Sequence, residues 1–194
     1  MSDQMESDGR LTDEQLMMMF AHGDRKRFDE LFDRYRQTLY AFYRRRVLHR
    51  ERAEELVQET FLVLLRSASR YQHQAPFRTY LFAIAFRVLG AERRRTALRS
   101  FLFVSSVKTE RSQEHSVEDV LWLRQALGRL EKIDREILML REFEQLSYEE
   151  IAQLLRLPLN TVRSRLFRAR AALRACLEGI ATSESRLLAK GDRT

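Results

Sequence analysis

Apolar residues recur at spacings of three and four along most of this chain. Phe28, Leu31, Phe32, Tyr35, Leu39 and Phe42 fall on one face of a helix, predicted to start after Gly23 with Asp24 as its cap and to end near Leu48. A second helix is predicted from Glu51 to Arg66, with Ala53, Leu56, Val57, Thr60 and Leu64 turned one way. The polar stretch after it breaks the period, and Pro76 suits the first turn of a third long helix reaching about Arg99. From Ser100 to Asp119 the period is lost and serine and charge dominate, as in an interdomain linker. Its apolar start, Phe101 to Val104, fits either a helix end folded back on the bundle or a segment lying in a partner's channel.

Leu121, Leu123, Leu127, Leu130, Ile133, Ile137, Leu138 and Leu140 open a second block of short helices. Ser147 and Glu150 have the spacing of a capping box, so a helix begins there and carries Ile151, Ala152, Leu154 and Leu155 inward. The run from Arg156 to Leu159 interrupts it, and Asn160 is predicted to cap a last helix reaching about Glu178, with Val162, Leu166, Ala169, Leu173 and Leu177 facing the core. The expected fold is all-α: two small helical domains at 24–99 and 120–178, joined by a flexible linker at 100–119, the second with a helix-turn-helix. An N-terminal segment at 1–23 and a poorly ordered tail at 179–194 complete the division.

Composition excludes several classes of function. The single cysteine, Cys176, forms no internal disulfide, and His22, His49, His73 and His115 lack metal-ligand spacing with it, so neither metal nor cofactor is expected. The N-terminus has no signal-peptide pattern, and no apolar run approaches the roughly 20 residues that span a bilayer. The expectation is a cytoplasmic protein without membrane insertion. With no paired carboxylates, activated nucleophile or phosphate loop in view, it is not expected to be an enzyme. A net charge of +7 favours an anionic partner.

The charge is concentrated in two zones. Asn160 to Cys176 holds five arginines and no acid. On that helix Asn160, Ser164 and Ala171 face outward, with Arg163, Arg170 and Arg174 on one flank and Arg165 and Arg168 on the other. Small readers between guanidinium groups suit the DNA major groove and its two phosphate walls. A merely solvated face would mix signs. The second zone, Thr60 to Ala91, also lacks acids and interleaves Arg66, Arg70, Arg78 and Arg87 with Tyr71, Phe77, Tyr80, Phe82 and Phe86. Aromatic and basic residues together suit a single strand. Phe77, Leu81, Ile84 and Val88 read as core, leaving Tyr80, Arg87, Ala91 and Arg94 as the candidate surface. On the second helix, Leu62 and Leu65 fall outside the apolar stripe beside Glu54, Glu55 and Gln58, a mixture that repels DNA and suits a protein partner.

The segments "AEELVQETFLVLL", "FRTYLFAIAF" and "LSYEEIAQLLRLPLNTVRSRLFRARAALR" together resemble the extracytoplasmic function (ECF) family of sigma-70-type RNA polymerase sigma factors. The resemblance implies a first domain that binds the polymerase clamp and opens the minus-ten element, and a second that reads the minus-thirty-five element. It implies clamp contacts from Glu54, Glu55, Gln58, Glu59 and Leu62, with Leu65 on the same surface. It places Arg70, Tyr71, Gln72 and His73 in a loop that holds a flipped base, and the basic, aromatic zone already described adds Arg78, Tyr80, Arg87 and Arg94 as candidate minus-ten residues. Thr161, Arg163, Ser164, Arg165 and Arg168 would meet the upstream element, with Asn160 and Arg170 from the face already described. Core RNA polymerase, promoter DNA and an anti-sigma factor are the implied partners. Two departures stand out: Tyr80-Leu81 where the family often has Trp-Leu, and Arg87 and Ala91 where it usually has Asn and Asp. The competing reading is a stand-alone helix-turn-helix repressor or activator acting as a dimer, which leaves the first basic zone unexplained.

Overall fold

The computed structural model describes residues 11–73, 75–102 and 126–191, with the backbone alone at 99–102 and 177–191. The chain forms two compact units, divided between Ser112 and Gln113. Residues 103–119 of the expected linker, and Leu121 and Leu123, lie outside the described residues, as does the choice between the two readings of Phe101 to Val104.

The first unit packs α1 (Asp13–Ala21), α2 (Lys26–Arg44), α3 (Arg50–Ser67), a 3-10 turn (Ala68–Arg70) and α4 (Phe77–Leu102). Helix α1 falls inside what the sequence reading set aside as an N-terminal segment. Its start is a capping box in which Gln15 N donates to Thr12 Oγ1 at 3.2 Å and Thr12 N donates to Gln15 Oε1 at 2.9 Å. Leu16 and Met17 are wholly buried, so the bundle begins at α1. Gly23, at φ +107°, supplies the left-handed turn into α2. The α2 cap is Arg25 rather than Asp24, whose Oδ1 instead accepts from Lys26 N at 3.2 Å, and the helix ends at Arg44, short of the expected Leu48.

Leu31, Leu39 and Phe42 of α2, Leu56, Phe61 and Leu64 of α3, and Phe77, Leu81, Phe82, Ala85 and Leu89 of α4 build the core. Burying Thr60 among them is offset by hydrogen bonding: its Oγ1 lies 2.8 Å from the Leu56 carbonyl and 2.6 Å from the Tyr43 hydroxyl, itself 3.1 Å from the Ala85 carbonyl. One polar cluster therefore joins three helices. Helix α4 runs to Leu102, past the expected start of the linker.

The second unit contains α5 (Lys132–Glu142), α6 (Tyr148–Leu155) and α7 (Leu159–Gly191). Ser147 and Glu150 form the expected capping box, with Ser147 N donating to Glu150 Oε2 at 2.6 Å and Glu150 N to Ser147 Oγ at 3.1 Å. Arg156 ends α6 in the left-handed region at φ 55°, and Leu157 N returns to the Ala152 carbonyl at 2.9 Å. This closes the tight turn before α7. Val162 N bonds the Pro158 carbonyl at 3.1 Å and α7 begins at Leu159, so Asn160 lies within its first turn instead of capping it. The backbone of α7 continues to Gly191, through most of the expected tail. Ile137, Leu140, Leu146, Ile151, Val162, Leu166 and Ala169 form this unit's core.

Candidate nucleic-acid interfaces

Burial of Val162, Leu166 and Ala169 fixes the rotation of α7 and turns Asn160, Arg163, Ser164, Phe167, Arg168, Ala171 and Arg174 to the outside. Thr161 and Arg165 are half-buried at its edges. The arginines differ in what holds them. Arg165 Nη1 donates to Asp134 Oδ1 at 2.7 Å and to Glu131 Oε2 at 3.3 Å, and Arg170 donates to Glu142 Oε1 through Nη2 at 2.6 Å and Nε at 3.0 Å. Hydrogen bonding to Asp134 and to Glu142 respectively is the largest cause holding these guanidinium groups above their ordinary value. The acids missing from Asn160 to Cys176 are thus supplied across space by Asp134 and Glu142 of α5 and by Glu131 at its start. Arg163 makes only a long pair with Glu149 at 3.9 Å, and among the described residues Arg168 and Arg174 have no partner.

Phe167 was missed by sequence reasoning. It is 75 % exposed in the middle of the outward face, the largest exposure among the big apolar side chains described. An apolar residue off the Val162, Leu166 and Ala169 stripe was the available signal.

In the first unit, Arg70, Gln72 and His73 are exposed, and so are Arg87 and Arg94 two turns apart on α4, with Ala91 between them. Tyr71 is drawn inward. Its ring centroid lies 5.1 Å from that of Tyr80 and 6.3 Å from that of Phe77, and its hydroxyl is buried without a hydrogen-bond partner. Burial first, then the nearby Glu14 charge, push this phenol up to about 12. Tyr80 is half-buried with its hydroxyl 2.8 Å from Ser67 Oγ, and the Arg78 guanidinium lies 5.7 Å from the Phe82 ring centroid. Phe77 and Phe82 are fully buried, so neither can stack a base.

On α3, Glu54, Glu55, Gln58, Leu62 and Leu65 are exposed and Glu59 half-buried. Behind them stands Arg52, also missed from the sequence, which bonds Glu55, Glu59 at 3.1 Å and Glu92 of α4 at 2.6 Å. The hydrogen bond from Arg52 is the main cause holding the Glu92 carboxyl below its usual range. The outer face of α3 is therefore tied directly to the basic helix α4.

No described helix is long and apolar enough to cross a membrane, and no group of three or more His, Cys, Asp or Glu side chains among the described residues could hold a metal ion.

Sigma-70 region 2 matches residues 31–99, and Sigma-70, region 4 matches residues 121–173. The RNA polymerase sigma-H factor of Pseudomonas aeruginosa is 33 % identical over 181 residues, covering 86 % of this chain and 94 % of that protein. The ECF RNA polymerase sigma-E factor of Haemophilus influenzae is 32 % identical, covering 83 % of this chain and 93 % of its own. Among solved structures, CnrH in complex with the cytosolic domain of CnrY matches with a TM-score of 0.66 at 26 % identity, covering 86 % of this chain and 97 % of that one. With two helical units, a helix-turn-helix and relatives matched along nearly their whole length, the chain belongs to the ECF family of sigma-70-type RNA polymerase sigma factors and is a transcription initiation factor.

Proposed function

We propose that the chain joins core RNA polymerase through the outer face of α3, holds the opened minus-ten strand on its first unit, and reads the duplex minus-thirty-five element with α7. The outward face of α7 carries this reading: small and polar side chains and one exposed phenylalanine lie among exposed arginines that can meet phosphate. Asn160, Thr161 and Ser164 are its polar readers, Arg163 and Arg168 its phosphate contacts, and Phe167 an apolar contact suited to a thymine methyl. Arg165 and Arg170 orient the helix from their pairs with α5 and contribute positive potential at its edges.

Glu54, Glu55, Gln58, Glu59, Leu62 and Leu65 form the clamp surface. Arg70, Gln72 and His73 border the base pocket over a floor made by Tyr71 and Tyr80, while Arg78, Arg87 and Arg94 attract the strand. The region 2-like domain assigned to 24–99 takes in α1 as well, and the region 4-like domain occupies 120–178. The protein performs no reaction of its own and works in the cytoplasm. CnrH was solved with the cytosolic domain of a second protein, which supports a proteinaceous inhibitor, an anti-sigma factor, as a further partner.

In vitro transcription with core polymerase on a pool of random promoter sequences tests the reading. Start sites that require the chain support it. Duplex binding by the chain alone, with no polymerase-dependent transcript, would instead favour the stand-alone regulator.

A further inference from the structure

Helix α1 lies upstream of the region 2 match and was not expected from the sequence, yet it contacts the start of α4 directly. Phe77 is the first residue of that helix, and its N–H is one of the donors a helix leaves without an internal partner. Glu14 Oε1 accepts from it at 2.8 Å, across 63 residues of chain. A carboxylate at this end also opposes the positive end of the helix dipole. Its neighbour Asp13 bonds the Tyr35 hydroxyl and takes a 2.6 Å hydrogen bond from Arg34. The Tyr35 ring packs on Phe77 at 5.4 Å between centroids, and Phe77 packs in turn on Tyr71. Two adjacent acids of α1 therefore hold Phe77 by its backbone and its ring.

We infer that Glu14 is a positioning residue for promoter opening: by capping α4 from α1, it fixes the end of the loop that carries Gln72 and His73 and sets the tyrosine floor beneath them. The inference rests on the reading of residues 70–73 as the strand-holding loop. Glu14 touches no DNA in this scheme. It acts through Phe77 and Tyr71.

The test compares Glu14→Met, which has no acceptor, with Glu14→Gln, which keeps a carbonyl oxygen at the same reach. Each full chain is assembled with core polymerase on a promoter selected by the wild-type holoenzyme, well below the melting midpoint of every variant. Permanganate reactivity of minus-ten thymines reports opening, and amide hydrogen exchange at Phe77 in the free chain reports the cap. Glu14→Met is expected to speed Phe77 exchange and reduce opening by about five- to tenfold, the scale of a lost helix cap. Glu14→Gln should restore most of both, and binding to upstream duplex should not change in either. Wild-type opening by Glu14→Met would overturn the inference, as would equal losses in the two variants, since only one lacks an acceptor. If the wild-type holoenzyme opened no promoter, the initiation reading would fail and this role with it, whereas failure of the inference alone leaves wild-type opening intact.

Discussion

Arg165 on α7 donates to Asp134 on α5 at 2.7 Å and lies 3.3 Å from Glu131, a pairing that fastens the outward-facing helix to the rest of its unit. Arg168, less than one turn further on, is exposed and has no partner among the described residues. Two arginines of the same helix thus differ in what holds them.

Duplex binding as a function of salt separates them. Arg168→Ala should lower the slope of log affinity against log salt by about one, the signature of a single lost phosphate contact. Arg165→Ala should lower that slope less and reduce Tm, because it leaves Asp134 half-buried without its cation. Asp134→Asn should also reduce Tm, since it breaks the same pair, but by freeing Arg165 it should strengthen non-specific duplex binding at low salt. Equal slopes for the two alanine variants would count against the division.

The proposed docking surface is tested most simply at Leu62, which is 48 % exposed. Leu62→Glu should change stability by no more than about 0.5 kcal/mol, as expected for a surface site. It should weaken association with core polymerase by about 2 kcal/mol if the side chain is central to the interface. Glu55→Lys should add to the loss, since it also places a cation against Arg52. Calorimetric melting and a pull-down on the same protein decide the matter, and wild-type retention by the double variant would remove the assignment.

Tyr71 carries a buried hydroxyl with no partner, so Tyr71→Phe should stabilise the first unit at neutral pH by about 1 kcal/mol. Burial raises this phenol to about 12, whereas an unfolded tyrosine ionises near pH 10. Its contribution to stability is therefore complete below about pH 10 and lost as pH rises towards 12. The advantage of Tyr71→Phe should widen across that interval. Tyr35 and Tyr43 are also raised by burial, so the difference between the two proteins, not the alkaline transition itself, is the quantity to measure.

Arg87 and Ala91 are both exposed on α4, so Arg87→Asn with Ala91→Asp should leave Tm nearly unchanged. The surface loses one positive charge and gains one negative charge, and promoter engagement should weaken chiefly at low salt. The preferred minus-ten bases should shift as amide and carboxylate hydrogen bonding replaces phosphate attraction. Selection from a randomised minus-ten pool checks this, and an unaltered preference would show that the pair does not set promoter choice.

Helical periodicity made the inward faces of α2, α3, α6 and α7 legible from the sequence, because a side chain three or four positions along a helix returns to the same side whatever the helix packs against. Leu31, Leu39, Leu56, Leu64, Ile151, Val162 and Leu166 are all in the core. The Ser147 and Glu150 cap was readable for the same local reason. The outward residues followed by subtraction, which is why Asn160, Ser164, Glu54, Glu55 and Leu62 could be named in advance.

Contacts between distant parts of the chain were beyond that reach. Arginines of α7 meet acids of α5 some thirty residues earlier, Arg52 meets Glu92, and Glu14 caps a helix that starts at Phe77. The small α1 was passed over because its unbroken apolar run, Leu16 to Ala21, spreads around the whole helix and shows no period, although Thr12 and Gln15 have cap spacing. Local sequence determined which residues form helices and which side of each is apolar, because those properties depend on neighbours within one or two turns. Tertiary structure alone decided which charges are neutralised and which remain free for a partner, because an ion pair depends on distance in space and not along the chain.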